Sequence, residues 1–461
     1  RYDRDLGHTT MVNVYPEVVV GEGANKMKER FQWTFPIIFS PFSTPEKTIL
    51  YATSQMVHRS YDEGLHWETI SPDLTRNDKT KLEPSGGPIS KDNTGVEIYN
   101  TIFTFTESGI MQGKLWAGSD DGLVHVSNDN GKSWQNVTPK LIPDNTQISI
   151  IEASHFNKNK AYIAGNRFKL GEPGPYLFKT NDDGNTWVRI DKGLPKNSYT
   201  RVIREDPAKE GLLFCGTETG LYISFNDGET WQAFQQNLPL TPIHDLAIHP
   251  TEHDLVVCTH GRGFWVMDNL SLLYQNNGAT NKLVLSCRNT FNAGGGSYET
   301  TNMQVGQNAP CGLVIDYFLP ETFNKEVFIK IKNEKGDSIA AFSSLRDKNY
   351  APIIINQDFY QPKTAKPIGL VPVAKGFNRF VWDMKTADLV QLEGDGKIMW
   401  GASLTGPLAQ PGRYQIELLF GDSLIQKQSC AILPDARFKT VDEQAYKKKR
   451  DLLDSIIVKT N

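Results

Sequence analysis

Along the first 270 residues short apolar runs recur in pairs with turns between them, at the spacing of strands rather than helices. Five leading runs, TFPIIFSP, TIFTFTES, ISIIEAS, RVIREDP and HDLAIHP, are each followed by a second: TILYATS, KLWAGSDDG, KAYIAGN, GLLFCGTETG and DLVVCTHGRG. After four of these pairs comes an eight-residue phrase: SYDEGLHW (60–67), SNDNGKSW (127–134), TNDDGNTW (180–187) and SFNDGETW (224–231). The shared pattern S/T-x-D/N-x-G-x-x-W reads as a hairpin turn, because Ser/Thr and Asp side chains bond nearby backbone groups and Gly supplies a positive φ. The Trp then opens the next strand and can enter the core. Each unit therefore holds four strands, and Trp33 to Asp268 shared among five units gives about 47 residues apiece. Four-stranded units of roughly 40–50 residues predict β-propeller blades, here over 1–275.

The second half has a different rhythm. Between Asn269 and Pro310 the pattern loosens, so 276–307 reads as a linker. Strict alternation then resumes: Val327, Ile329 and Ile331 take one face, as do Tyr414, Ile416 and Leu418, with turn residues between the runs. Period-two runs of this kind predict an immunoglobulin- or fibronectin-like β-sandwich over 308–435, with Trp382 in its core. Thr440 to Glu443 form a capping-box pattern, followed by Tyr446, Leu453 and Ile457 at helical spacing, so 436–461 reads as a terminal helix. Its Lys447–Arg450 run fits a solvated helix face. The predicted class is all-β with one helix.

Composition narrows the function classes. Lys and Arg number 49 against 53 Asp and Glu, so a formal charge of −4 gives no electrostatic reason to expect nucleic acid or an anionic membrane as partner. No apolar run approaches the roughly 20 residues of a membrane helix. The chain opens on Arg1 without a signal peptide and reads as a piece of a longer protein. Its five cysteines (Cys215, Cys258, Cys287, Cys311, Cys430) are irregularly spaced without a CxxC, Cys215 and Cys258 lie inside apolar runs, and the set reads as buried free thiols rather than a disulfide framework.

The four phrases resemble the Asp-box (BNR) repeat of sialidases, xyloglucanase-type glycoside hydrolases and sortilin/Vps10 propellers. SPDLTRND (71–78), EPSGGPISKDNTGVE (83–97), AGSDDGLVHVS (117–127), REDP (204–207), THGRGFWVMD (259–268) and FNRFVWDM (377–384) are similar to a bacterial glycosyl hydrolase-like, or sortilin-like, group. The resemblance implies an extracytoplasmic protein with further blades before this segment. Three departures stand out: Asn226 replaces Asp in the fourth phrase, the fifth unit has none, and the early blades of that group are missing from this sequence.

Several candidate sites reduce to simpler readings. An EF-hand would need acids five before and six after the Gly, where Gly131 has Val126 and Val137. The histidines His244, His249, His253 and His260 fall on strands and a loop with no zinc motif, so no metal and no cofactor are expected. Gly21 to Lys26 is half of a phosphate-loop pattern and reads as a turn. The 30-residue excursion at 71–100 has the length of a binding loop.

Two functions stay open. One is a non-catalytic protein that holds a glycan, peptide or protein partner, the remainder of the same protein included, with Glu152, Arg204, His260 and Arg262 as binding residues. The other is a glycoside hydrolase, which needs two carboxylates across a cleft, here Asp120 and Glu205.

Overall fold

The four turn phrases close hairpins. In the first, Ser60 Oγ accepts a hydrogen bond from Gly64 N at 2.8 Å, and Asp62 Oδ1 accepts from His66 N at 2.9 Å. The same pair of bonds recurs at Ser127/Asp129, Thr180/Asp182 and Ser224/Asn226. Asn226 keeps the acceptor that its Asp counterparts use, so its substitution leaves the turn intact.

The computed structural model describes residues 1–17, 20–86, 89–93, 95, 97–276, 284–292, 310–321, 325–345, 354–355, 364–365, 369–386, 406–435, 437–438 and 441–460. It divides into two units, Arg1–Asp268 and Asn269–Asn461.

The first unit is an all-β propeller array. Blade 1 comprises Ile37–Phe39, Leu50–Thr53, Val57–Ser60 and Glu68–Thr69; blade 2 Ile102–Glu107, Leu115–Ser119, Val124–Ser127 and Gln135–Asn136. Blade 3 comprises Gln147–Ala153, Ala161–Arg167, Glu172–Thr180 and Val188–Arg189; blade 4 Thr200–Glu205, Leu213–Thr217, Gly220–Ser224 and Gln232–Ala233. Blade 5 has three strands, Ile243–Ile248, Leu255–Thr259 and Phe264–Met267. Among the described residues this blade has no fourth strand, as its sequence has no turn phrase.

The core lies between successive blades. Trp116 of blade 2 packs with Ile148, Ile163 and Phe178 of blade 3, and Tyr162 of blade 3 with Ile203, Leu213 and Trp231 of blade 4. Each large apolar side chain buried this way contributes about 1.5–3 kcal/mol. The outer members of the array lack this cover: Ile37 and Phe39 on blade 1 are 58% and 65% exposed, and Phe264 on blade 5 is 76% exposed.

The Trp of each phrase joins its blade to the one before. Trp134 Nε1 donates to Ile70 O, Trp187 Nε1 to Val137 O and Trp231 Nε1 to Ile190 O, at 2.9, 2.7 and 2.6 Å. Each acceptor is the residue just after the fourth strand of the preceding blade. Trp67 of blade 1 donates in the same way to Val12 O at 2.9 Å. Val12 thus stands to blade 1 as Ile70 stands to blade 2, and the hairpin that pairs Tyr2–Asp3 with His8–Thr9 holds the chain position of an outer strand pair.

The 71–100 excursion is tied down. Buried Arg30 donates from its guanidinium to Asp73 Oδ2 at 2.7 Å and to Asn100 O at 3.0 Å, while Leu74 and Leu82 are buried. Gly87 and Pro88 lie outside the described residues.

The second unit is a two-sheet sandwich. One sheet orders Val284–Cys287, Leu313–Leu319 and Gly376–Trp382; the other Thr290–Phe291, Ser423–Leu433, Gly412–Phe420, Val327–Asn333 and Ser338–Ser343. The alternating residues Val327, Ile329, Ile331, Ile416 and Leu418 meet Trp382 in its core. The linker boundary needs correction: Val284–Cys287 and Thr290–Phe291, inside 276–307, are sandwich strands. At four and two residues they are too short to show a period. The terminal helix spans Glu443–Thr460, and Asp442 Oδ1 caps it by accepting from Ala445 N at 2.8 Å. Thr440 lies outside the described residues.

Candidate functional site

The first strands of blades 2 to 5 each carry a β-bulge near their start, which leaves Phe103, Ser149, Arg201 and His244 without a ladder partner. A bulge bends its strand and re-aims the extra side chain. At the same end of the blades, one residue past the second strand, stand Asp120 in blade 2, Glu218 in blade 4 and His260 in blade 5. In blade 4 the two positions form an ion pair, Arg201 Nε to Glu218 Oε2 at 2.9 Å. In blade 5 they stack, His244 on His260 with ring centroids 4.9 Å apart and 18° between planes. Burial, with the Arg201 and His260 charges adding to it, holds His244 below the usual histidine range.

Asp120 turns instead to Thr101, accepting from its N and from its Oγ1, both at 2.9 Å. Burial outweighs those bonds, and the Asp121 charge adds to it, so the Asp120 carboxyl is pushed up to about 7. It lines a pocket of about 210 Å³ with Lys81, Tyr99, Asn145, Gln147, Asn166 and Arg167 among its walls. Lys81 Nζ and Tyr99 Oη both donate to Asn145 Oδ1, at 2.7 and 3.0 Å. In two of the wall residues, Gln147 Oε1 and Asn166 Oδ1 are buried away from the pocket surface without a hydrogen-bond partner. An orphaned buried acceptor costs about 1–3 kcal/mol, so such atoms call for a donor. Just past Arg167, Phe168 stacks on Tyr199 at 5.3 Å and 18°, with the Arg201 guanidinium over both rings.

The proposed acidic pair is not a pair. Asp120 sits where first strands begin and Glu205 where one ends, and the five steps of about 3.3 Å along a six-residue strand put roughly 17 Å between those ends. Hydrolytic carboxylates stand at most about 9.5 Å apart. Glu205 is also fully engaged, accepting from Ser154 Oγ at 2.6 Å, His155 N at 2.9 Å and Tyr162 Oη at 3.0 Å. It braces blade 3 against blade 4.

Glu152 and Arg204 likewise hold the array together. The Arg204 guanidinium donates to Glu152 Oε2 at 2.9 Å, Asp245 Oδ1 at 2.8 Å and Leu246 O at 3.0 Å, linking the first strands of blades 3, 4 and 5. Burial alone would raise the Glu152 carboxyl, but the Arg204 charge and a hydrogen bond from His155 hold it below its usual value. Of the other expected binding residues, His260 is exposed on its stack, and Arg262 is exposed on the turn, its N bonded to Thr259 Oγ1 at 3.1 Å. Among the described residues no His, Cys, Asp and Glu group could hold a metal ion.

Sequence reasoning passed over Arg201, Glu218, Asn145, Gln147 and Asn166. The signal was the repeat itself: aligned blade on blade, the residue after the second strand is polar in blades 2, 4 and 5.

No family model matches the chain. It is 33% identical over 85 residues to the vacuolar protein sorting/targeting protein 10 of Colletotrichum graminicola, covering 18% of this chain and 5% of that protein. To the oligoxyloglucan-reducing end-specific xyloglucanase of Emericella nidulans it is 23% identical over 266 residues, 52% of this chain and 32% of that one. The chain thus spans about a third or less of the length of these curated relatives. Among solved structures, the GH74 xyloglucanase from Xanthomonas campestris aligns with a TM-score of 0.37 at 18% identity, over 48% of this chain and 35% of that chain.

Proposed function

We propose that the propeller face around Asp120 takes a sugar chain and that the protein binds a polysaccharide outside the cytoplasm. The observation that carries this reading is the pocket itself, whose walls set Lys81, Tyr99, Asn145 and Asn166 beside an acid that is largely protonated below neutral pH. A ligand dense in hydroxyl groups suits these polar walls, and the Phe168–Tyr199 stack beside them offers an apolar edge for a sugar ring. Among the described residues, no helix is long and apolar enough to cross a membrane.

Glycoside hydrolysis is the second reading, and the similarity to xyloglucanases supports it better than binding alone. A carboxyl near 7 suits a general acid. Against it, Asp120 is the one carboxylate among the described residues that line the pocket, and hydrolysis takes two.

Calorimetric titration with xyloglucan and cello-oligosaccharides, alongside a peptide panel, tests the proposal, with released reducing ends assayed in parallel. Saturable glycan binding that weakens in Asn166→Ala is the expected outcome. Peptide binding with no response to any glycan overturns it. If sugar is released, Asp120→Asn should abolish release while binding persists.

A further inference from the structure

We propose that Cys287 and Cys430 form a disulfide that staples together the two sheets of the C-terminal sandwich. Cys287 is the last residue of its strand in the three-stranded sheet. The chain then crosses to the other sheet, where Thr290 pairs in parallel with Ile432. Cys430 lies two residues before Ile432 on that strand, with its side chain in the sandwich core. The crossing is pinned at this point, because Ala431 N donates to Asn289 Oδ1 at 2.8 Å. Cys430 is a buried member of the sandwich cluster, Cys287 packs against that same cluster, and the two thiols lie near enough to perturb one another. Two cysteines more than 140 positions apart in sequence are thereby brought into contact at the place where the chain changes sheets.

The contacting thiol, and burial after it, push the Cys287 thiol up, so little thiolate exists in the folded protein at neutral pH. Exchange proceeds through thiolate. The bond is therefore made most readily while the sandwich is still assembling, and once made it resists reduction. The oxidant is a small-molecule disulfide of the glutathione type. The Cys287 thiolate attacks one of its sulfurs and releases the first thiolate, leaving a mixed disulfide. The Cys430 thiolate then attacks Sγ of Cys287 and releases the second. Two protein thiols and one small disulfide become one protein disulfide and two small thiols, with both electrons passing to the oxidant and both protons ending on the released thiols.

The test is to refold the full chain in a glutathione redox buffer, alkylate free thiols under denaturing conditions and digest without reduction. Mass spectrometry should find the Cys287 and Cys430 peptides joined, two hydrogens lighter than their sum, with Cys215, Cys258 and Cys311 alkylated. Oxidation should also raise the melting temperature by on the order of 5–10 °C, a gain absent in Cys287→Ala and in Cys430→Ala. Recovery of both cysteines alkylated, or joined instead to Cys311, overturns the proposal. Should Cys430→Ala fail to fold, the peptide map of the unaltered chain and the melting of Cys287→Ala decide the matter between them.

Discussion

Replacing Asp120 with Asn should make the propeller more stable in alkaline solution and leave it unchanged in acid. The folded-state carboxyl titrates near 7, whereas an aspartate in an unfolded chain titrates at about 3.9. Between those values the folded protein holds a proton that the unfolded chain has released, so stability falls as pH rises through the interval. Three units at 1.36 kcal/mol each amount to about 4 kcal/mol by pH 8. Asn keeps the shape, and its Oδ1 can accept from Thr101 N as Asp120 Oδ1 does. Its amide can donate to Thr101 Oγ1 where the acid accepts, so both contacts survive. Urea unfolding followed by tryptophan fluorescence, run on both proteins from pH 4 to 9, measures the gap. It should open from near zero at pH 4 to a few kcal/mol at pH 8. A gap independent of pH, or an Asn variant that is the less stable at pH 8, would refute the argument that burial sets this carboxyl.

Four further substitutions probe the array. Gly184 has φ +84, and a Cβ there would meet Val137 Cβ at 2.6 Å, whereas Gly171 at φ +73 has nothing within 4 Å. Gly184→Ala should cost roughly 2–4 kcal/mol and Gly171→Ala about 1 kcal/mol by urea midpoint, since only the first adds overpacking to backbone strain. Trp231→Ala empties a buried site and orphans Ile190 O, for an expected loss of about 3–5 kcal/mol in the same assay. Glu152→Gln should flatten the pH profile of stability. The lowered Glu152 contributes above the unfolded glutamate value of about 4.3, and is lost as pH falls through its folded value. The raised His155, held up by its bond to Glu152, contributes below about 6.5 and is lost as pH rises through its folded value. Thermal melts at pH 3.5, 5.5 and 8.5 resolve the two limbs.

The turns and the blades they close were readable in the chain because their chemistry is local: Ser60, Asp62 and Gly64 make one another's bonds within five residues. The site was not, because its parts are distant and its strands irregular. A bulge at Arg201 breaks the period-two count at the residue that matters, and the partner that explains it, Glu218, sits a hairpin away. Glu205 looked like a catalyst for the mirror-image reason. An acid at a strand end invites that reading until Ser154 and Tyr162, 51 and 43 residues earlier, turn out to consume its lone pairs. The sandwich strands at 284–291 were hidden by brevity. In each case local chemistry could be read from the chain, and what only tertiary contact supplies could not.

The tryptophan bonds between blades all run one way, from a later blade back to an earlier one. Trp134, Trp187 and Trp231 each reach a carbonyl that precedes them by 64, 50 and 41 residues. A chain emerging from the ribosome therefore always meets its anchor already made: each new blade arrives to find the acceptor of its indole in place, and none waits on a partner still unsynthesised. In an array held by nearest-neighbour contacts, this directionality favours growth from the N-terminal side during synthesis.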